Sequence, residues 1–92
     1  MPKFLIEVPH AEETEACARV VHVFLKTGSH FLSHADWGCM DGEHKAWIIA
    51  DAADKEEACG IVPPQFRSQA RVTRLNKFSI EEVEEVLQKH RA

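Results

Sequence analysis

A chain of 92 residues with a net charge of −4 has room for one domain built around one modest hydrophobic core. Its hydrophobic fraction of 45% and charged fraction of 28% are typical of a globular protein. The acidic balance disfavours a nucleic-acid binder, and no apolar run approaches the roughly 20 residues of a membrane-spanning helix. Three scattered cysteines argue against a disulfide framework and predict a reducing, cytoplasmic environment.

The first third of the chain predicts a strand followed by a helix. Lys3–Val8 alternates apolar side chains on one face, and Pro9 ends the strand. Glutamates follow at positions 12, 13 and 15, where a helix N-terminus favours negative charge. The helix is predicted to run to about Thr27, with Gly28 as its terminator. Its apolar stripe consists of Cys17, Val20, Val21 and Phe24.

The stretch from His30 to Asp51 predicts a β-hairpin with a two-residue turn at Asp41-Gly42. Side chains on a strand alternate between faces, and in this register Asp36 lies opposite Trp47. One face carries side chains that are apolar or small, among them Phe31, Ala35, Trp37, Cys39, Ala46 and Ile48. The other face mixes titratable and apolar groups, namely His30, Leu32, His34, Asp36, Trp47 and Ile49.

The last part of the chain predicts a helix, an edge strand and a terminal helix. The Asp54…Glu57 capping pattern begins a short helix that stops at Pro63-Pro64. Ala70–Lys77 predicts the edge strand, and a second capping box at Ser79…Glu82 begins the terminal helix. That helix has an apolar stripe of Ile80, Val83, Val86 and Leu87.

The order βαββαβα predicts an α+β fold in a single domain over residues 1–92. We expect a ferredoxin-like βαββαβ arrangement with a C-terminal helix, in which helices cover one face of an antiparallel four-stranded sheet. Right-handed crossovers place the first and third strands in the centre. The uncovered face would hold Leu5, Leu32, Trp47 and Ile49. An exposed apolar patch of this kind indicates an interface, so we expect a homodimer through the open sheet face.

The polar side chains of the open face are the first candidates for a functional site. His34 would act as an acid or base near neutral pH, and Asp36 would orient its imidazole. Trp47 would supply an aromatic wall for a small molecule. The alternatives are a hydrogen-bonded His34–Asp36 pair at the rim of the dimer and simple interface packing of Trp47. The rest of the predicted ligand-binding surface is Leu32, Ile49 and Glu7.

A metal site is a second hypothesis for the same face. His34, Asp36 and His30 are predicted ligands because imidazole and carboxylate groups bind zinc, nickel or iron. On a strand, positions i and i+4 lie about 13 Å apart, so His30 and His34 would need a bulge to share an ion.

Two further histidines, His44 and His10, lie at positions where other proteins have reactive or metal-binding groups. Cys39 opposite His44 suggests a thiolate–imidazole pair, although cross-strand neighbours beside a turn are often only neighbours. His10 lies at the head of the first helix, where copper-carrying ferredoxin-like domains place a Cys-x-x-Cys pair that this chain does not have. Cys17 and Cys59 are interpreted as core or helix-flank residues.

The hairpin residues Trp37…Asp41-Gly42…Trp47-Ile48-Ile49, the helix start at Asp54–Glu57 and the Phe78…Glu82 segment resemble small stand-alone domains of the dimeric α/β-barrel, ferredoxin-like superfamily. Members of that superfamily include isomerases, cofactor-free oxygenases, haem-degrading enzymes and a nickel-binding group. The resemblance implies a fold and a dimer, and no catalytic motif transfers with it. The expected function is binding of a small molecule or metal, with proton-transfer, oxygenase-type or isomerase-type chemistry left open and the cofactor unknown. The alternative is a non-catalytic regulatory or structural dimerisation module.

Overall fold

The structure is a computed structural model that describes residues 1–91. Its four strands, β1 (Lys3–Pro9), β2 (Asp36–Trp37), β3 (Lys45–Asp51) and β4 (Arg71–Leu75), form one antiparallel sheet in the order β2-β3-β1-β4. The α-helices of these residues are α1 (Thr14–Lys26), α2 (His30–Ser33), α3 (Lys55–Cys59) and α4 (Ile80–Lys89). Short 3₁₀ turns occupy Cys39–Asp41 and Pro64–Gln69. The predicted α+β class, the antiparallel four-stranded sheet and the central positions of β1 and β3 are confirmed.

The hydrophobic core lies between one face of the sheet and the helices. Strand alternation puts every second side chain of β1 and β3 on this face, and each of these is at most 3% exposed. From the other side, Val20 and Phe24 of α1 and Ala58 of α3 pack onto the sheet. The buried strand residues are Phe4, Ile6, Val8, Ala46, Ile48 and Ala50.

The helix caps form at the residues that the sequence predicts. The side chain of Asp54 accepts a hydrogen bond of 2.8 Å from the backbone N–H of Glu57, which satisfies a free donor at the start of α3. A complete capping box between Ser79 and Glu82 begins α4. Gly28 follows the end of α1 with a φ of +73°, a conformation that glycine adopts without strain.

The predicted hairpin is right in register and wrong in extent. Asp36 pairs with Trp47 and Trp37 pairs with Ala46, as expected. However, His30–Ser33 forms the helix α2, so that β2 contains two residues only. The connection to β3 is not a two-residue turn: a 3₁₀ turn begins after Gly38, and Gly42 closes it with a φ of +84°. A short apolar run suits a helix or a strand equally well, and here packing of the run against the core selects the helix.

Leu32 is the second correction. It was expected on the open face beside Trp47, but on α2 it points into the core and is 3% exposed. A strand would have alternated Phe31 and Leu32 between faces, whereas a helix turns them by about 100° per residue. Leu32 therefore belongs to the core and is not part of an open-face ligand site.

The helix α4 projects away from the body of the domain. No residue of α4 is buried. The Cα radius of gyration is 16.8 Å and the long axis measures 56 Å, whereas a compact chain of this length has a radius of gyration of about 12 Å. Within residues 1–91, no helix combines the length and the apolar character needed to cross a bilayer.

Candidate metal centre

Four side chains that could bind a metal converge at one end of the sheet. Their potential ligand atoms all lie within 4.8 Å of one another, and they belong to His10, Cys17, Cys39 and His44. Nε2 of His10 lies 3.3 Å from Sγ of Cys17 and 3.2 Å from Sγ of Cys39. The two sulfur atoms are 3.2 Å apart. We call these four residues the His/Cys cluster.

The central strands bring the two histidines together. His10 directly follows β1 and His44 directly precedes β3, and these strands are antiparallel neighbours. The backbone N–H of His10 donates a 3.0 Å hydrogen bond to the carbonyl of His44, which extends the ladder by one step. Cys17 lies in the first turn of α1, and its N–H donates to the carbonyl of Glu13 at 2.9 Å.

The 3₁₀ turn presents Cys39 to the other three residues. The carbonyl of Gly38 accepts hydrogen bonds from the backbone N–H groups of Asp41 and Glu43, both at 3.0 Å. A Cβ atom at Gly38 would lie 2.5 Å from the ring of Trp47 and 2.7 Å from the carbonyl of Glu43. Only glycine fits at this point, so the bend before Cys39 depends on its lack of a side chain.

The distances within the cluster suit a tetrahedral ion. Zinc binds thiolate sulfur at about 2.3 Å and imidazole nitrogen at about 2.0–2.1 Å, which places tetrahedral ligand atoms about 3.3–3.8 Å from one another. The nitrogen–sulfur separations of 3.2–3.3 Å lie within a few tenths of an ångström of the expected value, and the sulfur–sulfur distance of 3.2 Å is about half an ångström shorter than that of two zinc-bound thiolates. Cys17 and Cys39 are both free thiols. The donor set of two thiols and two imidazoles is that of a Cys₂His₂ zinc site.

The surroundings favour the protonation state of His10 that binds a metal. Burial lowers the pKa of the His10 imidazole below its ordinary value of 6.5, and the nearby His44 lowers it further, while the backbone of Val8 opposes the shift. His10 is therefore neutral at pH 7, as a metal ligand must be. The Nδ1 atoms of His10 and His44 are both buried and have no hydrogen-bond partner with good geometry among residues 1–91.

The surroundings of Cys39 disfavour the thiolate, which is the form that binds a metal. Burial raises the pKa of the Cys39 thiol above 9.0, and the adjacent Cys17 raises it further through a hydrogen bond and through charge repulsion. Without a cation the thiol stays protonated, so the structure offers no support for Cys39 as a reactive thiolate paired with His44. A bound divalent cation would reverse this preference, because a coordinating thiol is deprotonated by the metal.

Aromatic rings shield the cluster on its inner side. The ring of Trp37 meets the imidazole of His10 edge to face, with centroids 5.8 Å apart, and meets Phe24 in the same way at 5.0 Å. This confirms that Trp37 lies on the helix-covered side of the sheet. The same contact places an indole fluorophore beside the proposed ligands.

The open sheet face contains several of the residues predicted from the sequence. Nε1 of Trp47 donates a 3.3 Å hydrogen bond to Oε1 of Glu7, and Lys45 lies 3.9 Å from the same oxygen. Ile49 is 60% exposed, and Asp36 is also exposed. Trp47, Glu7, Asp36 and Ile49 therefore share one face, as expected, while their role in binding or catalysis stays a prediction.

His30 and His34 are close together for a reason that the sequence did not indicate. They are four residues apart on α2 and its C-terminal end, and their ring centroids are 4.3 Å apart. The strand spacing that would have separated them does not apply. Nδ1 of His34 lies 2.9 Å from the carbonyl of His30, and both histidines are exposed. Among residues 1–91, neither of them nor Asp36 joins a group of three or more converging ligands.

Sequence reasoning found half of the His/Cys cluster. It paired Cys39 with His44, but it interpreted Cys17 as a core or helix-flank residue and noted His10 only for its place at the head of the first helix. A usable signal was present, because antiparallel pairing of β1 and β3 brings the residue after β1 beside the residue before β3. Recognising the cluster also required the orientation of α1, which no local pattern supplies.

Comparisons of this chain with protein-family models, with curated proteins and with solved structures find no match.

Proposed function

We propose that this protein binds a transition-metal ion, zinc in the first place, through His10, Cys17, Cys39 and His44. The observation that supports this proposal is the convergence of four soft or borderline ligand atoms within 4.8 Å. The lowered pKa of His10 agrees with it, because a metal ligand must be the neutral imidazole.

The proposed centre is structural or regulatory in type. Four protein ligands complete a tetrahedral shell and leave no open position for a substrate or an activated water. The ligands come from the end of β1, the start of α1, the 3₁₀ turn and the start of β3. A bound ion would therefore join four segments, and metal binding would be coupled to the stability of the fold.

Metal stoichiometry and spectroscopy test this proposal. Purified protein is expected to bind one zinc ion per chain, and Co²⁺ in its place is expected to give a sulfur-to-cobalt charge-transfer band and the intense visible bands of tetrahedral cobalt. Cys17→Ala and Cys39→Ala should each lose about half of the charge-transfer intensity, because one of the two thiolates remains. Cys59→Ala is the matched control, because Cys59 is also a partly buried free thiol but lies outside the cluster. Equal spectra for all three variants would rule the centre out.

We also propose that the fold is ferredoxin-like and that two copies pair through their open sheet faces. The order β2-β3-β1-β4, with α1 and α3 on one side, is the arrangement that two split βαβ units produce. The exposed Ile49 beside the partly buried Trp47 supports pairing, because apolar side chains that lie together on a surface mark interfaces more often than isolated ones do. Light scattering at micromolar concentration tests the dimer, and a monomeric mass would contradict it.

A small-molecule site on the open face is the second candidate function. The observation in its favour is the indole of Trp47, held in place by its hydrogen bond to Glu7 at the centre of this face. The acid–base part of the hypothesis is weaker, because the imidazole of His34 lies against the His30 carbonyl on α2. A thermal-shift screen of aromatic acids and quinones, with Trp47→Ala as comparison, tests this candidate. A non-catalytic dimerisation module is the alternative if no compound binds.

A further inference from the structure

The apolar stripe of α4 has no partner within the described chain. Ile80 is 69% exposed, Val86 55% and Leu87 62%, although these residues follow helical spacing along one side. Phe78, just before the helix, is 73% exposed and extends the stripe. Glu82 and Glu84 border this stripe, whereas Glu81 and Glu85 lie on the opposite side of the helix.

A helix of this length needs a surface to pack against. Isolated helices shorter than about 12–15 residues are marginal in water, and α4 has 10 residues. Its capping box and its exposed Glu85–Lys89 ion pair of 3.5 Å help only slightly. Burial of the apolar stripe is therefore what would make α4 stable.

The same chain contains an apolar groove of complementary charge. A groove of about 510 Å³ lies on the open sheet face where β1, β3 and β4 meet, and its apolar floor includes Ile49 and Leu75. Lys3, Asn76 and Lys77 also line this groove. Lysines beside an apolar groove match glutamates beside an apolar stripe, so the groove and α4 suit each other.

We propose that α4 of one copy docks in the open-face groove of a second copy, and that the second copy returns the contact. Each chain presents both halves of this contact, which is what a closed two-fold dimer requires. Asn76 and Lys77, which line the groove, lie just before the start of α4, while α4 itself extends away from the body of the domain. The inference rests on the proposed homodimer and names the elements that make it.

Neighbouring substitutions on α4 test the docking. Leu87→Lys places a charge in the apolar stripe, whereas Gln88→Lys places the same charge at the next position, outside the stripe. Sedimentation equilibrium should show that Leu87→Lys weakens the dimer by at least about a hundredfold, because the two-fold contact buries two copies of Leu87 and each is worth about tenfold or more. Gln88→Lys should leave the dimer unchanged. Equal dimer strength in the two variants would overturn the inference.

Cross-linking of a sample that mixes labelled and unlabelled chains distinguishes docking of α4 on a second copy from packing of α4 on its own chain. Unlabelled and ¹⁵N-labelled proteins are mixed, equilibrated and treated with a carbodiimide, which joins carboxylates to nearby amines without a spacer. Mixed-label products that join the α4 glutamates to Lys3 or Lys77 are expected. Products with one label only would show that α4 folds onto its own sheet. A dimer without α4 cross-links would refute helix docking but preserve the proposed pairing of sheet faces, and a monomer would refute both.

Discussion

Removal of one ligand from the His/Cys cluster should abolish the stabilisation of the domain by zinc. Cys39 is the best position for this change, because its Sγ lies within 3.3 Å of two other ligand atoms and its side chain is small and only partly buried. In metal-free protein, Cys39→Ala should therefore cost no more than about 1 kcal/mol of unfolding free energy. In the presence of zinc the same change should cost much more.

The difference can be estimated from mass action. An ion that binds only the folded state at about one hundred times its Kd stabilises that state by about 2.7 kcal/mol. In a domain of this size each kcal/mol shifts Tm by about 4–8 °C, so zinc should raise the wild-type Tm by about 11–22 °C. Cys39→Ala leaves three of the four ligands, and we expect the zinc-dependent rise to fall to a few degrees.

Scanning calorimetry with matched zinc and EDTA samples measures the zinc-dependent rise in Tm for the wild type and for Cys39→Ala. Cys59→Ala serves as the control and should keep the full zinc-dependent rise, since Cys59 takes no part in the cluster. A wild-type response in Cys39→Ala, or a lost response in Cys59→Ala, would refute metal binding by the cluster. The indole of Trp37, 5.8 Å from the ring of His10, offers a second readout through quenching by Co²⁺.

Further predictions concern pH, backbone packing and thiol reactivity. Because the pKa of folded His10 lies below 6.5, the unfolded chain takes up a proton at this residue first. Urea midpoints of EDTA-treated protein should therefore fall as the pH drops below about 6.5, and His10→Ala should reduce that dependence. Gly38→Ala should lower the unfolding free energy by about 1–3 kcal/mol, since its Cβ would lie 2.5 Å from Trp47, and an unchanged urea midpoint would contradict this packing. Iodoacetamide should modify Cys39 of metal-free protein more slowly at neutral pH than a model thiol, because its pKa is raised, and faster labelling would restore the reactive-thiolate hypothesis.

Local patterns in the sequence determined most of the sheet and the helix starts. Alternation along Lys3–Val8 identified β1 and its buried side chains, because the period of a strand leaves only one apolar face. The capping residues Asp54 and Ser79 identified the starts of α3 and α4, because a cap is a contact between neighbours in the chain. The pairing of Asp36 with Trp47 followed from the same alternation.

Tertiary contacts determined the short helix α2 and the position of Leu32. A four-residue segment has no periodicity long enough to distinguish a helix from a strand. Its state depends on the energy of burying Leu32 against residues that are distant in sequence, and that energy favours the helix. The predicted face with His30, Leu32 and His34 on one strand therefore did not form.

The candidate metal centre is the clearest case of a feature that only the tertiary structure decided. The sequence contained all four ligand types, but Cys17 and Cys39 are 22 residues apart and belong to different elements. Their sulfur atoms approach within 3.2 Å because α1 packs over β1 and β3 while Gly38 bends the chain toward them. Sequence periodicity describes residues that are near one another along the chain, whereas metal coordination depends on distances in space. Packing of the core determines which residues that are distant in sequence come close together.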